Sequence, residues 1–240
     1  MCFGAIPITE VASFPPPPGP ECWIYLTLNA EIALSLPESP TLQKLARSPR
    51  ARISVDGQWL WWALRRKYPG RDVRKLSGSD LIHVLAGHCA ADGCRLLLLG
   101  SSAELNALAV RQLQSRWPSL AVAGHAPAHC GQGEAGEREM HRKAMEVIAA
   151  LRPDYVVLGL GAAKEQRFAW QCAGALDGKV RGLLCFGGAI DMASGVVRRA
   201  PALIQRVGLE GLYRVWQQPA RLGRLLRVLR VLPMLARGAY

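Results

Sequence analysis

Again and again this chain runs a short apolar stretch into a turn, usually a glycine turn, and then into a helical pattern. Trp23 to Leu28 is β-rich and ends at Asn29, and residues 30–36 and 42–47 read as short helices. Ile53 to Val55 stops at Asp56-Gly57 and is followed by a helix from Trp59 to Lys67. Ser79-Asp80 suits the start of a helix running to about Ala90. Cys94 to Leu99 closes at Gly100-Ser101-Ser102 before an amphipathic helix over residues 103–116. Leu120 to Ala123 is a further strand, 125–137 a glycine-rich loop and 138–151 a helix. Tyr155 to Leu160 turns at Gly161 into a helix over about 164–175, and Gly182 to Phe186 ends in Gly187-Gly188.

That alternation predicts an α/β fold: a Rossmann-like parallel sheet flanked by helices. Ligands of open parallel sheets bind beyond the carboxyl ends of the strands. The residues falling there are Thr27, Asn29, Asp56, Gly57, Gly100 to Ser102, Gly159 to Gly161, Gly187, Gly188 and Asp191. Glycines, small hydroxyls, an amide and two acids suit a nucleotide or another phosphorylated ligand, with helix N-terminal N–H groups facing phosphate. Taken singly, each glycine is better explained by turn geometry, and Asp56 by a turn or cap.

Familiar motifs are missing. Gly159-Leu160-Gly161 lacks the third glycine of a dinucleotide fingerprint, and Gly100-Ser101-Ser102 lacks the Gly-Lys-Thr of a phosphate loop. Gly78-Ser79-Asp80 is not a nucleophile elbow. Cys89, Cys94, His125, His129 and Cys130 lack the paired short spacings of a structural zinc site.

At 240 residues, with 50% hydrophobic and 20% charged side chains, the chain is ordinary for a globular protein and long enough for a sizeable core. No apolar run approaches the roughly 18–20 residues of a membrane span. Seven cysteines without a Cys-x-x-Cys pair favour a reducing, cytoplasmic setting, and no signal peptide is visible. Residues 1–20 read as a leader, extended at Pro15 to Pro20. Residues 21–197 read as the α/β domain and 198–240 as a basic helical appendage. The net charge of +12 is concentrated there: nine arginines stand against Glu210 alone after residue 197. Such a tail suits an anionic partner.

Several motifs together resemble the WecG/TagA/CpsF family, glycosyltransferase family 26, over about residues 23–228. They are Thr27-Leu28-Asn29, Val55-Asp56-Gly57, Leu76-Ser77-Gly78-Ser79-Asp80-Leu81, Leu98-Leu99-Gly100 and Pro153 to Gly161. Lys164-Glu165-Gln166, Gly187 to Asp191 and Ser194-Gly195 continue the series. Arg199-Ala200-Pro201 followed by Gly208 to Arg214 is the most specific part. The sequence departs from the family at Val55 and Ala163, where prolines are usual. It also inverts the family's Gln-Glu order at Glu165-Gln166, leaving open which residue inherits the glutamine's role.

The resemblance implies an inverting, metal-independent transfer with no cofactor. A sugar moves from a UDP-sugar to an undecaprenyl-diphosphate-linked saccharide in bacterial surface polysaccharide synthesis. The enzyme would be peripheral on the inner face of the cytoplasmic membrane. Asp56 matches the family's base, and Thr27 and Asn29 fall near the reacting sugar and nucleotide. Gln166 is the expected partner of the ligand, because a neutral amide does not repel phosphate, with Glu165 beside it. Gly57, Gly100, Gly161, Gly187 and Gly188 would offer backbone N–H groups to the diphosphate, Asp191 would accept from uracil or ribose, and Arg214, Arg221 and Arg224 would meet phosphate. A nucleic-acid-binding module using the tail and a nucleotide-dependent oxidoreductase are the rival readings. No nucleic-acid recognition motif is visible, so none is expected as a partner. The oligomeric state stays open, a homo-oligomer included.

In the tail, Leu222, Leu225, Leu226, Leu229 and Leu232 fall within about 120° of a helical wheel, with Arg221, Arg224, Arg227 and Arg230 opposite. Val228 and Val231 intrude, and Pro219 and Pro233 bracket the segment. One reading is a helix in the membrane interface, leucines in the acyl boundary and arginines on anionic headgroups. The other is a leucine stripe packed on the core beneath solvated arginines.

Overall fold

A computed structural model describes residues 1–3, 6–8, 14–127, 133–161, 163–219 and 222–230. The loop residues His129 and Cys130, Arg221, and the tail from Val231 onward with Leu232 and Pro233 lie outside this set, as does the side chain of Arg224.

Six strands form one sheet: β3 (Trp23–Leu28), β4 (Ala51–Val55), β5 (Arg95–Gly100), β6 (Ala121–His125), β7 (Tyr155–Gly159) and β8 (Gly182–Cys185). Their order is β4-β3-β8-β7-β5-β6 and every pairing is parallel. All six carboxyl ends therefore share one edge, as the alternating pattern requires.

Helices cover both faces, which is why the central strands read as unbroken apolar runs rather than alternating ones. Ile24, Leu26, Leu28, Leu97, Leu99, Val156 and Leu158 point to one face. There they meet α1 (Ala30–Ser35), α2 (Pro40–Ala46), α3 (Gln58–Lys67), α6 (Gly133–Leu151) and α7 (Lys164–Cys172). Tyr25, Leu96, Leu98, Tyr155, Val157 and Leu184 point to the other, against α4 (Gly78–Asp92), α5 (Ala103–Arg116) and α8 (Ala189–Ala193).

Several boundaries differ from expectation. Helix α4 starts at Gly78, with Ser77 in the cap position. Helix α6 starts at Gly133, inside the expected loop. Its first turns are helix-compatible because Glu134 and Arg138 pair one turn apart at 3.3 Å. Helix α7 ends at Cys172 and passes into a 3-10 turn, Ala173–Leu176. The first residues are more than an extended leader. Strands β1 (Cys2–Phe3) and β2 (Ile6–Pro7) pair antiparallel, and Ile6 and Ile8 are buried in the core. The Phe14 ring meets Tyr25 edge-on at 5.0 Å.

After the last strand come α9 (Ala202–Arg206), α10 (Glu210–Gln217) and α11 (Leu222–Leu229). The appendage folds back over the sheet edge. Trp59 of α3 donates its indole N–H to the Gly208 carbonyl at 3.0 Å, and Arg227 of α11 lies 4.0 Å from Glu31 of α1. Among the described residues no helix is long and apolar enough to cross a membrane. The described cysteines are free thiols.

Candidate active site

A cavity of about 490 Å³ sits where the strand ends meet the appendage. Its floor is polar: Thr27 near the end of β3 and Asn29 just past it, Asp56 and Gly57 after β4, Ser101 and Ser102 after β5. Gly159 and Gly161 follow from β7, and Gly187, Gly188 and Asp191 from β8. Its roof is largely apolar, made by Leu209 and Leu212 of the α10 region and by Leu225, Val228 and Leu229 of α11. Segments far apart in sequence thus converge because a parallel sheet brings its carboxyl ends to one side.

Asp56 is one of the carboxylates that border this cavity. It follows β4 directly, its backbone N–H bonded to the Leu28 carbonyl at 2.8 Å. Burial raises its carboxyl to about 6, reinforced by the negative charge of Glu210; the Ser77 hydroxyl, Arg214 and Arg199 act in the opposite direction. A carboxylate in that range exchanges protons near neutral pH, as a general base must.

The cations come from the appendage. Arg214, one turn into α10, lines the cavity; its Nη2 donates weakly to Met192 Sδ at 3.3 Å. Arg199 is paired with Asp80 at the start of α4. The Nε donors of both arginines are buried and have no acceptor among the described residues. A buried donor left unsatisfied costs about 1–3 kcal/mol, so an anion in the cavity would be stabilised by Arg214, the one of the two that borders it.

The hydroxyls and amides are mostly tethered. Thr27 Oγ1 donates to the Cys185 carbonyl at 3.4 Å, holding β3 to β8. Asn29 caps α1, its Oδ1 accepting from the Ile32 N–H at 3.0 Å. One lone pair of its carbonyl is thereby engaged, and its amide N–H groups remain available to a ligand. Ser101 donates to Asp191 Oδ1 at 2.5 Å from a backbone at φ 62°, a conformation that few non-glycine residues adopt. That bond holds Asp191 beside the N-terminus of α8.

Two expected residues stand elsewhere. Gln166 is buried but lines a separate small cleft with Ile32, Ser39 and Leu42, while its neighbour Glu165 lines the main cavity. Gln166 Nε2 donates to Glu165 Oε1 at 3.1 Å, so the amide acts behind the carboxylate. Gly100 lies outside the cavity lining. At φ 122° a Cβ there would sit 2.5 Å from the Gly159 backbone, so this glycine permits β5 and β7 to close.

Other lining residues were not in the expected site. Trp59, Ser77, Ser79, Gln205 and Glu210 all border the cavity. Arg199 and Glu210 lie within the appendage motifs, but a motif does not reveal that its helix folds back over Asp56. Among the described residues no three His, Cys, Asp or Glu side chains gather as a metal-ligand cluster.

A cavity of about 490 Å³ at the strand ends, bordered by a carboxylate raised to about 6 and by the Arg214 guanidinium, suits transfer of a group from a phosphorylated donor. Comparison with known families agrees: residues 19–239 match the Glyco_tran_WecG family, described as the glycosyl transferase WecG/TagA/CpsF family. With the match covering nearly the whole chain, the protein belongs to the WecG/TagA/CpsF family of glycosyltransferases.

Proposed function

We propose that this glycosyltransferase inverts configuration as it moves a sugar from a UDP-sugar to an undecaprenyl-diphosphate-linked saccharide, in the synthesis of bacterial surface polysaccharide. The observation that carries the reading is Asp56, which borders the cavity with its carboxyl raised to about 6 and shares that lining with Arg214. In the proposed step the Asp56 carboxylate takes the proton of the acceptor hydroxyl. The freed oxygen forms a bond to the anomeric carbon from the face opposite the donor phosphate. The bond from that carbon to the phosphate oxygen breaks, and UDP leaves with the electron pair.

The leaving charge would be met by Arg214 and by the N–H groups of Gly161 and Gly188. Thr27 and Asn29 fit positions beside the reacting sugar, and Asp191 fits one beside ribose or uracil. Glu165 takes over the ligand-facing role that sequence reasoning assigned to Gln166, because Glu165 borders the cavity. Family membership displaces the nucleic-acid module and the oxidoreductase as alternatives.

The appendage also supports a place on the inner membrane face. Leu203 (71%), Leu212 (54%), Trp216 (76%) and Leu226 (56%) expose apolar surface beside the arginines of the same segment. Exposed leucines and a tryptophan among cations suit the boundary between anionic headgroups and acyl chains. The test of function is direct: incubate the protein with a panel of UDP-sugars and a short-chain lipid-diphosphate saccharide, and weigh the product. Release of UDP with a mass gain of one sugar on the acceptor is expected. No gain with any donor overturns the reading.

A further inference from the structure

Ser77 stands at the cap position of α4, where a serine hydroxyl ordinarily accepts from a first-turn N–H. Here the side chain makes no capping bond. Its Oγ lies 2.9 Å from Ser79 Oγ, both residues are buried, and both border the cavity.

The backbone explains why. Just before α4 the chain runs alongside the end of β4: Lys75 bridges Val55 in parallel fashion, and the Leu76 N–H donates to the Val55 carbonyl at 2.8 Å. Ser54 Oγ donates to the Leu76 carbonyl at 3.5 Å. Ser77 is thereby laid beside Asp56, the residue after Val55; both border the cavity, and the hydroxyl favours the ionised Asp56 carboxyl in the way a donated hydrogen bond does. On the far side Gly78 is pressed against β8's end, where a Cβ would lie 2.9 Å from Phe186 Cβ and 3.0 Å from its carbonyl oxygen. The Ser-Gly-Ser segment is therefore clamped between two strand ends.

We propose that Ser77 is a positioning residue for Asp56 and that Ser79 completes a hydroxyl chain whose hydrogens run from Ser79 to Ser77 to the carboxylate. The direction follows from counting. Ionised Asp56 only accepts, so the one hydrogen of Ser77 goes to it, and Ser77 Oγ can then only accept from Ser79. The chain fixes one carboxylate oxygen and leaves the other for the acceptor hydroxyl. It also favours the ionised form against burial and against Glu210 of α10, alongside Arg214 of α10 and Arg199, whose partner is Asp80 of α4.

That this chain orients a base rests on the Asp56 assignment above; the chain itself does not. The test is an NMR titration of isotope-labelled aspartate carboxyl carbons, with the Asp56 resonance identified by its loss in Asp56→Asn. In Ser77→Ala the Asp56 titration should move upward by about one pH unit or more. Ser79→Ala should move it less in the same direction, and Ser77→Thr should restore it. The acid limb of kcat/KM, measured with the UDP-sugar that turns over and a short-chain lipid-diphosphate acceptor, should move in parallel. An unmoved Asp56 titration in a folded Ser77→Ala protein overturns the proposal, and Ser79→Ala decides in the same way should Ser77→Ala not fold. If the carboxyl shifts while the kinetic limb stays, the hydroxyl chain stands and Asp56 as base falls.

Discussion

The indole N–H of Trp59 donates to the Gly208 carbonyl at 3.0 Å, joining α3 to the turn between α9 and α10. Gly208 sits at φ 77°, and a Cβ there would lie 3.2 Å from the Trp59 ring. The contact thus fixes the part of the appendage that carries Glu210 and Arg214. Trp59→Phe keeps most of the packing and loses the bond. It should lower turnover several-fold through looser placement of Arg214, while thermal stability falls by about 1 kcal/mol. Gly208→Ala adds backbone strain to a tight contact and should cost more in both measurements. Unchanged kinetics in both variants would show that the appendage keeps its place without this contact.

Asp56 links activity to stability. Its carboxyl is raised to about 6 from an ordinary value of 3.8, so the folded state holds the proton more tightly than the unfolded chain. The resulting stability is fully present below about pH 4 and is lost as pH rises through about 6. Asp56→Asn cannot ionise and escapes that loss. It should therefore melt higher than the wild type at pH 8, by about 1–2 kcal/mol given that the cavity is open to water, and show little gain at pH 4. Turnover should fall by about 10²–10⁴-fold with UDP affinity nearly kept. More than half the wild-type rate would leave Asp56 a turn residue.

The Glu165-Gln166 pair shows what sequence reasoning could and could not reach. The inversion of the two residues was visible, but which one borders the cavity depends on the turn that enters α7. Ala163 there takes φ 68°, a conformation closed to proline, so this turn is built differently from one with the family's usual proline. By contrast, α5 was legible to the residue, because Ser102 caps it through the Leu105 N–H and the apolar period is unbroken. The sheet was legible because strands buried on both faces leave apolar runs such as Leu96 to Leu99. The two-residue strands at the N-terminus are too short to leave a pattern, and a wheel of tail leucines does not say what they touch.

The same turn gives a test of roles. Glu165→Gln should reduce turnover by about tenfold or more, since it changes a group that borders the cavity, whereas Gln166→Ala should act more mildly by releasing the Glu165 side chain. Ala163→Pro should be worse than Ala163→Gly, which relieves strain of about 1 kcal/mol. Gln166→Ala proving the more damaging of the two would return the ligand-facing role to the amide. Steady-state kinetics on the four variants separates these cases.

The apolar side chains of the appendage divide between the cavity and the outer surface. Leu225 and Val228 roof the cavity, whereas Leu203, Trp216, Leu222 and Leu226 stay outside its lining and expose 71%, 76%, 50% and 56% of their surface. Leu212 and Leu229 do both, lining the cavity while 54% and 43% exposed. The outward set can therefore be altered without touching the roof. Leu203→Gln with Trp216→Gln, and separately Arg230→Glu, should weaken binding to vesicles containing anionic phospholipid. Each arginine near such a surface contributes about 1 kcal/mol, so the charge reversal alone should cost more than tenfold in partition. UDP affinity should hold, because none of these residues borders the cavity. Turnover should fall only when the acceptor is embedded in vesicles and persist with a short-chain acceptor in solution. Equal losses on both acceptors would mean that the outward face supports the fold of the appendage and has no part in reaching the membrane.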